Sequence, residues 1–185
     1  HVVLTAAHCV DPATVGSGNQ FQIFLGNDIN SGAQANSARN YVDVKETHYD
    51  TAFSPRQLDG GHDIGVLITK TAINVTPLPM NRTPLTRSAI GASIRFVGYG
   101  ITSAADQNGT SAGTKRTTTS KISNYDSDLV TFNDGAHNTC EGDSGGPALL
   151  MQNGQEVIVG ITSFGDQNCQ FGGADTRIDT YVDFV

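Results

Sequence analysis

The most informative stretch of this chain reads Thr139-Cys140-Glu141-Gly142-Asp143-Ser144-Gly145-Gly146-Pro147, a serine surrounded by glycines. Glycine allows backbone conformations and close approaches that a Cβ atom would prevent. Consecutive backbone N–H groups in such a segment can therefore point toward one place and stabilise an anion there. The pattern predicts a nucleophilic serine at position 144. The alternative is an ordinary turn serine, which the three glycines make the weaker interpretation.

A serine hydroxyl is a weak nucleophile by itself, so it requires a base and a group that orients the base. The segment Thr5-Ala6-Ala7-His8-Cys9 offers a histidine among small residues, and Asp63 begins the apolar run Asp63-Ile64-Gly65-Val66-Leu67. The chain order is histidine, aspartate, serine. The alternative for Asp63 is a residue that only starts a strand. The remaining histidines lack such a context and are interpreted as ordinary residues: His1, His48, His62 and His137.

Taken together, these three segments resemble the trypsin and chymotrypsin family of serine endopeptidases. Further similarities extend over nearly the whole chain, for example the glycine-aromatic-glycine segment Phe96–Gly100 and the final strand Asp175–Ile178. The resemblance implies an all-β fold of two antiparallel six-stranded β-barrels of the chymotrypsin type. It also implies a short C-terminal helix, which is indicated by apolar spacings of three and four at Ile178, Tyr181, Val182 and Val185.

The strand pattern and the resemblance divide the chain into three parts. Residues 1–75 are expected to form the N-terminal barrel, residues 76–92 a linker, and residues 93–185 the C-terminal barrel with the terminal helix. Prolines lack a backbone N–H and suit a linker better than a central strand, and three fall in this one: Pro77, Pro79 and Pro84. Because the chain begins within an apolar, strand-like run, we expect the first barrel to be incomplete and the chain to be part of a longer protein.

The resemblance assigns a chemical role to each residue of the predicted triad. Ser144 would attack a peptide carbonyl, His8 would accept the serine proton, and Asp63 would orient His8. The backbone N–H groups of Gly142 and Ser144 would form the oxyanion hole. The expected protein is a serine endopeptidase that acts through an acyl-enzyme. The alternative is a catalytically silent relative that serves as a binding or regulatory module, although all three triad positions are occupied.

The resemblance also implies where substrate would bind. Asn138 would lie at the base of the primary specificity pocket, and Gly165 and Gly173 would form its walls. The main chain of Ser163, Phe164 and Gly165 would pair with an extended peptide. An uncharged base favours a neutral, aromatic or long side chain at P1, the residue before the cleaved bond. A basic P1 residue stays open as the alternative because three acids lie near this region of the sequence: Glu141, Asp166 and Asp175.

The chain contains three cysteines, an odd number for a secreted protein. The resemblance pairs Cys140 with Cys169 across the pocket and pairs Cys9 with a cysteine upstream of this chain. A free structural thiol at Cys9 is the alternative. A disulfide implies an oxidising compartment, so we expect a secreted protein.

The residue before the nucleophile points to activation of a zymogen. In the resembling family, a newly formed amino terminus inserts beside the aspartate that precedes the serine, and that aspartate is Asp143 here. The amino terminus that would pair with Asp143 is expected to belong to an upstream segment. The chain without this segment is therefore expected to be an incomplete enzyme.

Charge and hydropathy exclude several other classes of protein. The net charge of −7 argues against a nucleic-acid surface. No run of 18 or more apolar residues occurs, so no membrane span is expected. Cysteine and histidine spacings of the zinc type are missing, and no metal or cofactor is expected. The expected partners are protein or peptide substrates and protein protease inhibitors.

Overall fold

The computed structural model describes residues 1–185 and contains two β-sheet units. The N-terminal unit is an open, four-stranded antiparallel sheet in the order β1-β4-β3-β2. Strand β4 lies between β1 and β3 and is buried along most of its length, as its apolar sequence predicts. The strands of this unit are β1 (Val2–Thr5), β2 (Gln22–Phe24), β3 (Tyr41–Tyr49) and β4 (Gly65–Thr69).

The C-terminal unit is a closed six-stranded antiparallel barrel in the order β10-β7-β6-β5-β8-β9. Its interior is filled by apolar side chains, among which the rings of Phe96 and Phe132 lie 4.4 Å apart between centroids. The strands are β5 (Ser93–Gly98), β6 (Arg116–Tyr125), β7 (Leu129–Phe132), β8 (Pro147–Gln152), β9 (Gln155–Gly165) and β10 (Gly173–Arg177).

A second apolar cluster joins the two units. Ala6 and Ile64 come from the N-terminal unit, whereas Ile161, Ile178 and Tyr181 come from the C-terminal unit. All five are buried. Because Ala6 and Ile64 directly flank the segments of His8 and Asp63, packing of this cluster fixes those segments against the second barrel.

Short helices interrupt the loops. The α-helices are α1 (Pro12–Val15) and α2 (Gly32–Ala35), and three-residue 3₁₀ helices lie at Ala7–Cys9, Ala38–Asn40, Leu58–Gly60 and Arg87–Ala89. Asp11 is the N-cap of helix α1, and its carboxylate accepts hydrogen bonds from Ala13 N–H and Thr14 Oγ1. Such an N-cap followed by proline is a local start signal, and it was missed in the sequence.

The all-β fold with a complete second barrel and an incomplete first one is confirmed, but the C-terminal helix is wrong. Residues 178–185 form consecutive turns. Only one bond, from Val185 N–H to the Tyr181 carbonyl, has the spacing of an α-helix. A segment this short gains few such bonds to offset the cost of helix nucleation. The spacing of Ile178 and Tyr181 arises instead because both side chains pack in the cluster between the units.

Candidate active site

His8 and Asp63 form a direct pair at the junction of the two units. His8 lies in the 3₁₀ helix that follows β1, and Asp63 lies just before β4. His8 Nδ1 is 2.7 Å from Asp63 Oδ2, and the backbone N–H of His8 donates to Asp63 Oδ1 at 2.9 Å. The Asp63 side chain is fully buried, whereas 22% of the His8 side chain is exposed. One edge of the imidazole is therefore oriented by a carboxylate and the other remains accessible.

Two residues of the second barrel also hold Asp63. The Ser163 hydroxyl donates to Asp63 Oδ2, and Thr176 Oγ1 donates to the Asp63 backbone carbonyl at 2.9 Å. The sequence assigned Ser163 a main-chain role only, and its side-chain contact was missed. No local signal could have revealed the contact, since 100 residues separate the two side chains in the chain.

The pair changes the acidity of both partners. Burial would raise the pKa of Asp63, but hydrogen bonds from His8 and Ser163 outweigh it and hold the pKa below its usual value. Burial would lower the pKa of His8, but the hydrogen bond and charge of Asp63, together with the adjacent Cys9 thiol, outweigh it and raise the pKa. Asp63 is therefore ionised, and it favours the imidazolium form of His8.

Ser144 lies on a turn that only glycine can form. Gly142 and Gly145 have φ angles of 91° and 77°. A Cβ atom on Gly145 would lie 2.5 Å from Thr5 Oγ1 and 3.4 Å from Cys9 Sγ, so this turn packs directly against the His8 segment. The backbone N–H groups of Gly142 and Ser144 donate to no backbone carbonyl. The side chains of Ser144 and His8 are not hydrogen-bonded to each other.

The Asp143 side chain supports the same turn from behind. Its carboxylate accepts hydrogen bonds from Gly100 N–H at 2.8 Å and Cys140 N–H at 2.9 Å. A cavity of about 250 Å³ borders Asp143, and Asn138 and Arg116 also line it. Because Asp143 and Ser144 are adjacent, a change in what Asp143 binds would be transmitted directly to the backbone N–H groups beside the serine.

A separate cavity of about 230 Å³ borders Ser144. Ser163, Phe164 and Gly165 line it, and so do Cys140 and Cys169. These two cysteines form a disulfide with a Cα–Cα distance of 5.2 Å, while Cys9 is free. The bridge closes a loop of 29 residues and should stabilise the fold by about 3 to 4 kcal/mol.

Asn138 and Gly173 do not line the cavity beside Ser144. The amide of Asn138 donates to Asp166 Oδ2 at 3.1 Å and to the Gly172 carbonyl at 3.0 Å, and Asn138 borders the Asp143 cavity instead. Gly173 lies beneath the Phe132 ring, where a Cβ atom would be 2.7 Å from Cζ. Asn138 therefore uses its amide to hold the loop next to the cavity.

The three acids near the cavity differ sharply in their surroundings. Glu141 is exposed, and Asp166 accepts hydrogen bonds from three backbone N–H groups as well as from Asn138. Asp175 is fully buried, and neither of its carboxylate oxygens has a hydrogen-bond partner. Burial raises the pKa of Asp175 to about 8. Asp175 is therefore mainly the neutral acid at pH 7.

The buried acid at Asp175 predicts an unusual dependence of stability on pH. Its folded pKa lies above the unfolded value of 3.8, so the folded state keeps a proton that the unfolded state releases. The contribution of this group to stability is present below about pH 4 and is lost as pH rises through about 8. We expect Asp175→Asn to raise the free energy of unfolding at pH 9 by more than about 1.4 kcal/mol, with little change at pH 4.

Urea unfolding of both proteins at pH 4, 7 and 9 measures this effect. Asp166→Asn is the matched control, and it should destabilise the protein at pH 9 because the Asp166 carboxylate is well hydrogen-bonded. An Asp175→Asn variant that is less stable than the parent at pH 9 would show that the carboxylate has a favourable partner.

No helix in the structure is long and apolar enough to cross a membrane. No group of three or more histidine, cysteine, aspartate or glutamate side chains is arranged to hold a metal ion.

Comparison with known proteins assigns the chain to a family. The family model described as Trypsin matches residues 1–185. Chymotrypsin-like elastase family member 1 of Bos taurus is 28% identical over 207 residues, covering 99% of this chain and 73% of that protein. Its counterpart in Macaca fascicularis is 26% identical over 213 residues with the same coverage. CLIP domain-containing serine protease B4 of Anopheles gambiae is 40% identical over 50 residues, 25% of this chain and 14% of that protein. The match of the family model along residues 1–185 shows that the chain belongs to the trypsin family.

Proposed function

We propose that this chain is the catalytic part of a secreted serine endopeptidase that cleaves peptide bonds with Ser144, His8 and Asp63. The observation that carries the proposal is the pairing of His8 with the buried carboxylate of Asp63, directly beside the glycine turn of Ser144. Proteins or peptides would be the substrates, and protein protease inhibitors would compete for the same site. The disulfide between Cys140 and Cys169 supports an oxidising, extracellular location.

The proposed reaction begins with proton transfer from Ser144 to the exposed edge of His8. Ser144 Oγ attacks the peptide carbonyl carbon as His8 Nε2 takes the serine proton, and ionised Asp63 stabilises the resulting imidazolium. A rotation of the serine side chain would establish the hydrogen bond to His8, as often happens only when substrate is bound. The unpaired N–H groups of Gly142 and Ser144 would bind the carbonyl oxygen as it becomes negative.

The second half of the reaction releases the two products. His8 donates its proton to the leaving amine, the C–N bond breaks, and the acyl group remains on Ser144 Oγ. Water then enters, loses a proton to His8 and attacks the ester. Collapse of this second tetrahedral intermediate returns the proton to Ser144 and frees the carboxylic acid.

A strand edge without a β8 partner supports peptide binding beside Ser144. Strand β9 pairs with β8 only as far as Ile161, although β9 itself continues to Gly165. Ser163, Phe164 and Gly165 therefore have no β8 partner on that side, and an extended substrate could pair with their main chain. These residues also line the cavity next to Ser144, where the P1 side chain would sit.

The activation state is proposed to depend on Asp143. A free ammonium group that enters the cavity next to Asp143 would pair with a carboxylate now bound only by backbone N–H groups. Such a pair would hold the Gly142–Ser144 backbone in the form that binds the oxyanion. The protein would then be a zymogen until cleavage creates that amino terminus.

Labelling by a fluorophosphonate as a function of pH tests the proposal. The neutral imidazole is the reactive base, and the Asp63 pair raises the pKa of His8 above 6.5. We therefore expect the labelling rate of Ser144 to rise with pH, with a midpoint above 6.5.

Two variants serve as controls for this experiment. His48→Ala changes an exposed histidine beside Glu46 and should leave the pH dependence of labelling unchanged. His8→Ala should remove this pH dependence. A folded protein that carries the cleaved upstream amino terminus and still neither labels nor cleaves a peptide library at any pH would instead support the silent binding module.

A further inference from the structure

The residue before Asp63 has an unusual backbone conformation. His62 has a φ of 64°, in the left-handed region that residues other than glycine seldom occupy. The following turn is tight, since Ile64 N–H donates to the His62 carbonyl at 2.8 Å. A strained residue next to a buried carboxylate requires outside contacts to hold it. Those contacts come from a set of side chains that the proposed mechanism does not use.

The hydroxyl of Tyr181 is the centre of this set. It accepts a hydrogen bond from the backbone N–H of His62 at 3.1 Å and donates to Asp128 Oδ1 at 2.9 Å. The His62 ring lies edge-on to the Tyr181 ring, with centroids 5.9 Å apart. His62 Nδ1 is 2.9 Å from Asp50 Oδ2 and 3.1 Å from the tyrosine oxygen. With one proton on His62 Nδ1 and one on the tyrosine oxygen, His62 donates a hydrogen bond to Asp50 and Tyr181 donates one to Asp128.

The set joins the two β-sheet units at the turn that carries Asp63. Asp50 and His62 belong to the N-terminal unit, while Tyr181 and Asp128 belong to the C-terminal unit. The units approach closely here, because a Cβ atom on Gly61 would lie 2.5 Å from the Asp128 Cβ. Tyr181 is 7% exposed, so water cannot readily replace its hydroxyl. Burial and the Asp128 carboxylate raise the pKa of Tyr181, and the hydroxyl therefore keeps its proton at physiological pH.

The location of this link matters for the chemistry because the proposed triad is divided between the units. His8 and Asp63 come from the N-terminal unit, and Ser144 comes from the C-terminal unit. A shift of about 1 Å between reacting groups can reduce a rate about 100-fold. The turn at residues 61–64 is the segment at which the N-terminal unit is hydrogen-bonded to both Tyr181 and Thr176 of the other unit.

We propose that Tyr181 is a positioning residue, whose hydroxyl holds the His62–Asp63 turn against the barrel that carries Ser144. The inference rests on the proposed function for its effect on hydrolysis. The placement of Asp63 beside His8 can be measured without catalysis.

Tyr181→Phe tests the inference, because it keeps the ring in the apolar cluster and removes only the hydroxyl. We expect kcat for a peptide amide to fall about 10- to 100-fold with KM nearly unchanged. NMR titration of the His8 ring should show a lower pKa, since a displaced Asp63 stabilises the imidazolium less. Tyr99→Phe is the matched control, because Tyr99 also donates across the units, to the Gly26 carbonyl at 2.6 Å. It should change kcat by less than about twofold.

Several results would overturn the inference. Equal losses of kcat in Tyr181→Phe and Tyr99→Phe would show that Tyr181 contributes only to general packing. A lower Tm of Tyr181→Phe with an unchanged kcat and an unchanged His8 pKa would show the same. If Tyr181→Phe does not fold, Asp128→Ala decides the matter, since it removes the acceptor of the tyrosine hydroxyl at a loop. Asp128→Ala should lower kcat and the His8 pKa, whereas Asp128→Asn, which keeps an acceptor oxygen, should restore most of both.

Failure of the proposed function gives a different pattern. A parent protein that has been activated by cleavage and never labels at Ser144 would contradict the proposed function alone. The NMR titration would still test Tyr181 in that case. A His8 pKa that is lower in Tyr181→Phe than in Tyr99→Phe would support the positioning role, and equal values would contradict it.

Discussion

Replacement of Ser144 by alanine is expected to lower the rate of peptide hydrolysis about 10⁴- to 10⁶-fold, because the proposed triad would act as a unit. Fluorophosphonate labelling should also disappear in this variant. The fold should be unchanged, since Ser144 is only half-buried and its hydroxyl forms no hydrogen bond with His8. Steady-state kinetics, labelling and thermal unfolding of the same preparations measure the three effects.

A serine elsewhere on the surface provides the control for this substitution. Ser88 is exposed and hydrogen-bonds only to Thr86, so Ser88→Ala should retain full activity. Ser163 borders the same cavity as Ser144 and is the informative alternative. Labelling that persists in Ser144→Ala and maps to Ser163 would show that the nucleophile has been misassigned.

Asp63→Asn is expected to lower kcat about 10⁴-fold at neutral pH with little effect on substrate binding. The carboxylate accepts a hydrogen bond from the protonated Nδ1 of His8, so Nε2 is left without a proton and is free to act as the base. An amide can present an N–H group instead, which favours a proton on Nε2 and blocks transfer from Ser144. Because Asp63 also accepts hydrogen bonds from His8 N–H and Ser163, the variant should lose some stability as well.

The measurement for this variant is kcat and KM across pH, with thermal unfolding in parallel. Asp59→Asn changes an exposed acid four residues away and should leave kcat, KM and Tm unchanged. A loss of less than about tenfold in Asp63→Asn would mean that another group orients His8.

Much of the candidate site could be predicted because its signals are local. Positive φ angles at Gly142 and Gly145 are a property of the residue type, and a serine among three glycines indicates such a turn without knowledge of the fold. Strand periodicity likewise predicts β4 and the strands of the second barrel from short windows. The order of His8, Asp63 and Ser144, taken with these turns, was enough to indicate the family.

The terminal helix was predicted wrongly because one spacing fits two structures. Ile178 and Tyr181 recur at a spacing of three, as on a helix face, but the same spacing places both in the cluster between the units through consecutive turns. The choice depends on the surface against which the segment packs. That surface is made of Ala6 and Ile64, which are far away in the chain, and of Ile161 on another strand.

The sequence by itself determined the all-β class, the glycine turn of Ser144 and the order of the proposed triad residues, since each depends on residue type within a few positions. Only the tertiary structure decided that Ser163 donates to Asp63 and that the Tyr181 hydroxyl accepts a hydrogen bond from the backbone of His62. It also decided that the Asp175 carboxyl is buried without a hydrogen-bond partner. These contacts join residues about 100 or more positions apart, and burial depends on the whole barrel. Local patterns carry no information on either, because hydrogen bonding and desolvation are set by what packing brings together.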